Sequence, residues 1–366
     1  MGARVIGILN RLLRRDGATV PSMDGVLRPN ALLENATVLA TVAEPDNLVT
    51  VGDDLVFSSG QCIFRLSAGG LSSLLFDCGA PVTALASAPD GSLAAGIAAT
   101  GIRLFGGAHD GLVLGDVGPR PARGPTALAF GDADTLFVCL GSAHNEAEEW
   151  QRDLMEQRSS GSVWKVDLKT RAATCIADGL GFPNGILVRG EGVVVSESWN
   201  HRLLRFDGTG GRPQIVLEDL PGYPGRLSAA ADGGAWLAVF APRSQLIEFV
   251  LRERPYCTRM LREIPKELWI APSLRSGRSF REPMQGGAVR VHGIFKPWAP
   301  TRSYGLAIRL DHDLQPLRSF HSRADGTRHG LVSIQEWRGG MVFASRGDGV
   351  LGALSPDGLT LGDAAQ

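Results

Sequence analysis

The sequence has 366 residues, of which 44% are hydrophobic, and a formal net charge of −1. A chain of this length buries a large core, and the near-neutral charge argues against a nucleic acid partner. The 47 glycines favour many tight turns over long helices. The five cysteines are scattered and have no zinc-binding spacing, so we interpret them as small core residues.

Residues 1–35 are predicted to form an N-terminal segment that leads into the main domain. Residues 4–15 carry apolar side chains at helical spacing, which predicts a short amphipathic helix. This helix either docks on the main domain or contacts a membrane surface. The segment does not fit a secretory signal, and no stretch reaches the roughly 20 apolar residues of a transmembrane helix. We therefore expect a cytoplasmic location.

Residues 36–42 have strand character and precede a series of repeats. An early strand of this kind suits a β-propeller in which the N-terminus completes the last blade. Such a closure removes the exposed strand edges of the ring. The predicted main domain accordingly spans residues 36–366.

One unit recurs along this domain: a polar lead-in, an apolar strand, a turn containing Gly or Asp, and a second apolar strand. Several spacings between copies lie near the roughly 40-residue period of a four-stranded blade. The pattern predicts an all-β fold, a six-bladed β-propeller with short helical insertions. The six copies begin near Pro45, Pro81, Pro125, Gly179, Tyr223 and Gly330.

Two gaps interrupt the period and are interpreted as insertions on one face. The first, at about 145–158, is acidic and free of Gly and Pro, which predicts a short helix. The second, at about 252–300, begins with a further helical stretch and continues into a segment rich in Ser, Arg and Gly. Insertions of this kind commonly cap a propeller channel or gate entry to it.

The third to fifth repeats resemble the strictosidine synthase-like proteins. These are six-bladed propellers related to the calcium-dependent lactonases of the gluconolactonase and paraoxonase groups. The resemblance covers roughly residues 40–355 and implies an active site in the central channel, where the first residues of the inner strands converge. It does not fix the reaction, because one fold hosts many activities. The segments that carry it are 160–167, 179–185, 197–206, 220–224 and 232–236.

The resemblance implies candidate ligands for calcium or another divalent cation. Asp46 matches a carboxylate of the first blade, and Asn184 matches an asparagine of the fourth. Asn47, Thr126 and Asn184 are the candidate substrate-binding residues of the same channel. Calcium requires six to eight oxygen ligands, and this set is small. The alternative is that these polar residues cap strand ends and bond to the backbone.

Two residues are candidate catalytic groups. The resemblance implies an Asp-Asn pair with a calcium ligand in the fifth blade, where this chain has Gly225-Arg226. The Arg226 guanidinium is therefore a candidate substitute for the metal charge, favouring an acidic substrate. Alternatively, Arg226 points outward and pairs with Asp219 or Glu218. His329 lies at the predicted channel mouth as a candidate general base, or else is a solvated loop residue.

Other charged residues are interpreted as structural. Glu197 is expected to form an ion pair with Arg202 or Arg205, because a buried charge normally needs a partner. His201 is interpreted as a turn residue, and Glu336 as a solvated carboxylate.

The sequence thus predicts a hydrolase of lactones or related esters that acts on a small molecule in the channel. One alternative is a binding or scaffold propeller without catalysis. Another is an enzyme that condenses an amine with an aldehyde, but strictosidine synthase uses a glutamate in its last blade where this chain has Val332. Motifs of serine hydrolases with a nucleophile elbow, of P-loop proteins and of dinucleotide-binding proteins are missing from the sequence.

Overall fold

The computed structural model describes residues 20–67, 72–208, 210–279, 281–283, 290–291, 294–295 and 302–355. Six four-stranded antiparallel sheets form a ring, with few short helices between the strands. The predicted all-β, six-bladed β-propeller is confirmed. The predicted N-terminal helix, residues 4–15, lies outside the described residues.

The first strand along the chain, β1 (Thr37–Thr41), belongs to the last blade, and blades one to three follow it. Blade one contains β2 (Pro45–Val51), β3 (Asp54–Ser59), β4 (Cys62–Leu66) and β5 (Ser72–Asp77). Blade two contains β6 (Val82–Ser87), β7 (Leu93–Ile97), β8 (Gly101–Phe105) and β9 (Val113–Leu114). A small hairpin of β10 (Asp116–Val117) and β11 (Arg120–Pro121) follows it. Blade three contains β12 (Ala127–Asp132), β13 (Thr135–Leu140), β14 (Gly161–Asp167) and β15 (Ala173–Leu180).

Blades four to six complete the ring. Blade four contains β16 (Pro183–Arg189), β17 (Gly192–Glu197), β18 (Arg202–Phe206) and β19 (Gln214–Leu217). Blade five contains β20 (Gly222–Ala229) and β21 (Ala235–Pro242); after an insertion that includes β22 (Arg290–Val291) and β23 (Ile294–Phe295), it continues with β24 (Gly305–Leu310) and β25 (Pro316–Ser322). Blade six contains β26 (Leu331–Trp337), β27 (Gly340–Ser345) and β28 (Val350–Leu354), with β1 on its outer edge.

The N-terminus closes the ring as predicted. The outermost strand of blade six is β1, which pairs antiparallel with β28. The segment before it is fixed by Glu34, whose carboxylate accepts hydrogen bonds from the Thr327 and Arg328 backbone amides at 3.0 and 3.3 Å. Leu33 is fully buried in the same place. Residues from the two ends of the chain therefore share one blade.

The inner strands β2, β6, β12, β16, β20 and β26 are neighbours around the channel. Five of them carry a bulge near their start, within 46–49, 82–84, 183–185, 224–227 and 331–333. A bulge re-aims the side chains beside it and often lies next to a functional site. These bulges lie at the end of the channel where the inner strands begin.

Buried apolar side chains of blades five and six pack into one cluster. Trp236 of blade five is buried against Phe320 and donates its indole N–H to Glu336 of blade six at 2.7 Å. Glu336 also accepts the Ala231 backbone amide at 2.8 Å. Glu336, interpreted as a solvated carboxylate, is therefore partly buried and bonds to blade five, because the sequence does not show which blade faces it.

The described part of the insertions contains three α-helices. In the first insertion, a 3-10 helix (Ala147–Glu149) leads into α1 (Trp150–Glu156). The second insertion contains α2 (Gln245–Arg252), α3 (Arg254–Glu263) and a 3-10 helix (Lys266–Leu268). It begins directly after β21, earlier than the predicted 252. Burial of Ile247, Val250 and Leu251 on one face of α2 explains this helix.

The two insertions pack against each other over one end of the channel. The Asp153 carboxylate of α1 accepts the Trp199 indole N–H at 2.8 Å. Gln151 donates to the Pro272 carbonyl at 2.7 Å, and Lys266 pairs with Glu149 at 2.9 Å. The insertions therefore form a cap held by specific polar contacts.

Within the described part of the chain, every helix is too short or too polar to span a bilayer.

Candidate functional site

A cavity lies between the cap and the ends of the inner strands. It contains about 690 Å³ of empty space, a figure that includes the open mouth. Three aromatic side chains, Trp150, Phe182 and Phe240, form part of its wall. Its polar and charged lining residues are Glu44, Asp46, Ser58, Thr83, Thr126, Glu148, Asn184, Arg226 and Arg346.

Arg226 points into the channel from blade five. Its Nη1 atom is 2.9 Å from Oδ1 of Asp46, in blade one. Its Nη2 atom donates to the Thr83 carbonyl of blade two at 2.7 Å, and Nη1 lies 3.4 Å from the Val332 carbonyl of blade six. One guanidinium therefore joins four blades across the channel.

The outward orientation considered for Arg226 was wrong. Asp219, one of its two suggested surface partners, pairs with Arg243 at 2.7 Å instead. Burial lowers the pKa of the Arg226 guanidinium, and the Asp46 carboxylate opposes that shift. The position was hard to predict because its main partner lies 180 residues away in the chain.

Arg226 also separates two parts of the channel. The cavity under the cap contains the first residues of the inner strands, and a second space contains their later residues, including Leu48, Ile186 and Gln335. Arg226 lines both spaces. A small molecule entering from the cap side therefore meets the Arg226–Asp46 pair at the bottom of the cavity.

Asp46 is the carboxylate at the centre of the charged contacts in the cavity. Besides its contact with Arg226, its Oδ1 accepts the Asn47 backbone amide at 2.7 Å, and its Oδ2 lies 3.6 Å from Nη1 of Arg346. Arg346 also lies 3.4 Å from the Glu44 carboxylate. Two arginines thus flank Asp46, and Oδ2 is its less tightly held oxygen.

The structure places Asn184 and Thr126 in the cavity lining, as the sequence suggested. Among the described residues, the side-chain amide of Asn184 has no hydrogen-bond partner, so it is available to a ligand. The Thr126 hydroxyl instead bonds to the Pro183 and Cys139 carbonyls. Thr126 therefore shapes the wall, whereas Asn184 offers a donor and an acceptor.

Asn47 lies on the other side of Arg226. It is buried, adopts a left-handed φ of 54°, and its amide donates to Ser58 Oγ at 2.8 Å. It lines the second space rather than the cavity under the cap. Asn47 lies in the same channel as Asn184 and Thr126, and its amide also donates to the Val82 carbonyl at 3.2 Å. Its amide nitrogen is therefore used in the wall, whereas its Oδ1 has no partner among the described residues.

His329 was expected either at the channel mouth or in solvent, and it lies in neither place. It is buried, its Nδ1 bonds to Ser303 Oγ at 2.8 Å, and its Nε2 bonds to the Arg323 carbonyl at 2.7 Å. Burial lowers its pKa, which favours the neutral imidazole. Both ring nitrogens are engaged and the residue does not line the cavity, so the structure gives it no role as a general base there.

Two other predicted interactions are structural. Buried Glu197 pairs with Arg202 at 2.5 Å, one of the two partners considered, and accepts the Gly181 amide at 2.7 Å. His201 does lie in a turn, with a left-handed φ of 50°, but it is buried and its Nε2 lies 3.5 Å from Glu248 of α2. Neither residue lines the cavity.

The donor set of the cavity does not fit calcium. Arg226 and Arg346 lie beside Asp46, the central carboxylate, and their positive charges would repel a divalent cation. The unpartnered oxygens of Asn184 and Thr83 add two neutral donors to Asp46, still short of the six to eight oxygens of a calcium site. Across the described residues, no three His, Cys, Asp or Glu side chains cluster in a way that could hold a metal ion.

Sequence reasoning missed several lining residues. Arg346 directly follows β27, the second strand of blade six. In an antiparallel blade the end of the second strand lies beside the start of the inner strand, so Arg346 lies at the cavity. That rule could have identified Arg346. Glu148 and Trp150 reach the cavity from the cap, and the sequence has no signal for how the cap folds back over the channel.

Comparison with known proteins confirms the resemblance to strictosidine synthase-like proteins. The chain is 24% identical over 275 residues to the mouse adipocyte plasma membrane-associated protein, covering 66% of this chain and 65% of that one. It is 30% identical over 131 residues to the bovine protein of that name, covering 32% of each chain. It is 26% identical over 117 residues to STRICTOSIDINE SYNTHASE-LIKE 6 of Arabidopsis thaliana, covering 31% of this chain and 32% of that one.

These matches cover less than two thirds of each relative, and no family model matches the chain. Among solved structures, a gluconolactonase from Xanthomonas campestris superposes with a TM-score of 0.56 at 12% identity. That match covers 89% of this chain and 92% of the gluconolactonase. The likeness concerns the fold.

Proposed function

We propose that this propeller, similar to strictosidine synthase-like proteins, hydrolyses lactones or related esters in the cavity under its cap, without a bound metal. The observation that carries the proposal is the buried Arg226–Asp46 pair at the bottom of a cavity that also exposes the unpartnered Asn184 amide. The fold shared with a gluconolactonase supports it at the level of architecture only.

Each residue has a chemical role in the proposed reaction. The remaining N–H groups of Arg226 donate to the carbonyl oxygen and stabilise the oxyanion as it forms, which replaces the charge of a metal. Asp46 Oδ2 accepts a proton from water as the water oxygen bonds to the carbonyl carbon. The carbon–oxygen ester bond then breaks, and Asp46 returns the proton to the leaving oxygen. Asn184 orients the substrate.

The charge of the cavity favours a neutral substrate over the acidic one suggested by the sequence. Arg226 and Arg346 are opposed by Glu44, Asp46 and Glu148, so two positive and three negative groups give a formal charge of −1. An anionic lactone would therefore gain little from Arg226. The aromatic wall adds apolar contact area for a neutral ring.

To test the proposal, neutral and acidic lactones and esters are assayed with and without EDTA. We expect hydrolysis of neutral substrates that EDTA does not reduce. The Arg226→Met substitution should lower kcat/KM by about 100-fold or more, the usual cost of removing an oxyanion donor. Asn184→Ala should lower it by about tenfold, which is roughly the loss of one hydrogen bond to substrate.

Gln335→Ala is the matched control, because this amide lines the channel on the other side of Arg226. It should leave kcat/KM within about twofold of the wild type, since it makes no contact with substrate. Activity that EDTA abolishes and Arg226→Met preserves would overturn the metal-free reaction.

A binding propeller without catalysis is the second candidate. The observation that favours it is that Arg226 already contacts a carboxylate and two carbonyls. Saturable binding of neutral lactones that Asn184→Ala weakens, with no turnover in any assay, would support this function instead. An amine–aldehyde condensation is less favoured, because Val332 brings an apolar side chain to the cavity.

A further inference from the structure

A second concave site lies outside the channel, between α1 and α3. It contains about 820 Å³ of empty space, counting its open side, and none of its residues lines the channel cavity. Four of its eight lining residues are arginines and one is a glutamate. The lining residues are Arg152, Met155, Glu156, Arg158, Arg254, Thr258, Leu261 and Arg262. We call this site the arginine groove.

Three of the four arginines converge on one residue. Glu156 Oε2 lies 3.3 Å from Nε of Arg158, and its Oε1 lies 4.0 Å from Nη1 of Arg152. The backbone carbonyl of Glu156 accepts Nη1 of Arg254 at 3.0 Å. A single carboxylate cannot neutralise three guanidinium groups, so the groove keeps an excess of positive charge.

Neighbouring carboxylates do not remove this excess. Glu149 contacts Arg152 at 3.3 Å, but it also pairs with Lys266 at 2.9 Å. Glu263 contacts Arg262 at 2.6 Å, but it also pairs with Arg259 at 3.3 Å. Each of these carboxylates is thus shared with a further cation that does not line the groove.

The arginine side chains are accessible and lie against an apolar floor. The side chains of Arg158 and Arg262 are 53% and 69% exposed, so they can reorient toward a ligand. Met155 and Leu261 provide the apolar part of the lining. Because these side chains are exposed, salt screens their attraction for an anion, so binding should be strongest at low ionic strength.

We propose that the arginine groove binds a phosphate-bearing anion. Guanidinium groups hold phosphate oxygens with paired hydrogen bonds, and several arginines on one concave surface match a group with three or more acceptor oxygens. The groove has only eight lining residues and the chain as a whole carries a net charge of −1, so a small phosphate group fits better than an extended polyanion.

Inorganic phosphate is the first probe, titrated by calorimetry at low ionic strength, with sodium chloride of matched ionic strength as the reference. Wild-type protein should bind phosphate with one saturable site. The double variant Arg158→Gln, Arg254→Gln should bind at least tenfold more weakly. The control double variant Arg65→Gln, Arg212→Gln lowers the net charge equally at two exposed positions outside the groove and should bind like wild type.

A second variant separates binding from folding. Glu156→Gln removes the carboxylate that competes for the arginines and should tighten phosphate binding several-fold, whereas damage to the fold would weaken it. Equal binding by wild type and both double variants, no binding beyond the chloride reference, or weaker binding by Glu156→Gln would each overturn the proposal.

Two further arms identify the source of the phosphate group. A soluble phosphomonoester, glycerol 3-phosphate, is titrated in the same way, and vesicles of phosphatidylcholine with and without phosphatidic acid are tested by co-sedimentation. Binding of the soluble compound alone assigns the site to a metabolite. Retention on phosphatidic acid vesicles that the groove variant loses assigns it to a lipid headgroup, and failure in both arms contradicts the proposal.

Discussion

At the scale of single residues, buried polar groups in this protein are held in one charge state by their surroundings. Arg226 is charged and paired with Asp46, whereas His321 is fully buried between two hydroxyl groups. Tyr304 Oη lies 3.0 Å from its Nδ1, and Ser319 Oγ lies 2.8 Å from its Nε2. Burial lowers the pKa of His321 to about 4. Folding therefore selects the neutral imidazole.

This shift predicts a pH dependence of stability. In the unfolded chain His321 binds a proton near its ordinary pKa of about 6.5, while in the folded protein it does so only near 4. The unfolded state thus takes up more protons in this window, and the free energy of unfolding falls as pH drops from about 6.5 to 4. Urea unfolding of His321→Gln should show a slope smaller by up to about 1.4 kcal/mol per pH unit.

His201 and His329 are also buried with lowered pKa values, so part of the wild-type slope should remain in the variant. His312 is exposed, and His312→Gln serves as the control. Identical slopes for wild type and His321→Gln would contradict the assignment.

At the scale of strands, close approach of two blades positions the cavity residues. Gly185 of β16 lies against β20, and a Cβ atom there would be 2.3 Å from the Gly225 carbonyl oxygen. The same position would be 2.8 Å from Ser196 Oγ, which itself donates to the Gly225 carbonyl at 2.7 Å. The absence of a side chain at Gly185 therefore allows β20 to bring Arg226 up to the channel.

We expect Gly185→Ala to lower the free energy of unfolding by about 2–3 kcal/mol or more, since the contact is with backbone and cannot be relieved by a rotamer change. The measurement is urea unfolding monitored by tryptophan fluorescence. Gly115→Ala is the control, because a Cβ at Gly115 has no heavy atom within 4 Å. Equal costs for the two substitutions would contradict the close packing.

At the scale of the whole molecule, ring closure depends on a strand that precedes all the other blades. Without β1, blade six would have an unpaired edge along β28, and such edges promote aggregation. Buried Leu33 and the Glu34 contacts attach the same N-terminal segment to blades five and six. The first and last parts of the described chain thus depend on each other for stability.

A chain that begins at Glu44 should have a lower melting temperature than the full chain and should aggregate in a concentration-dependent way. A synthetic peptide of residues 20–44 should restore the melting temperature, because it can add the missing strand to β28. The Glu34→Ala version of the peptide is the control and should restore less. A truncated chain as stable as the full one would show that β1 does not close the ring.

The sequence by itself determined the six blades, their order and the closing strand. These features depend on a local repeat of strands and turns, and each blade carries its own copy of that pattern. The repeat, together with what the family resemblance implied, located Asp46, Thr126 and Asn184 at one end of the channel, where the inner strands begin.

Only the tertiary structure decided what these residues contact. Asp46 contacts Arg226 across the ring, the amide of Asn47 bonds to Ser58 and Val82, and both nitrogens of His329 are used in the interior. The arginine groove likewise joins two insertions about 100 residues apart. Such contacts depend on how distant segments pack, and the local pattern of side chains contains no information about their distances.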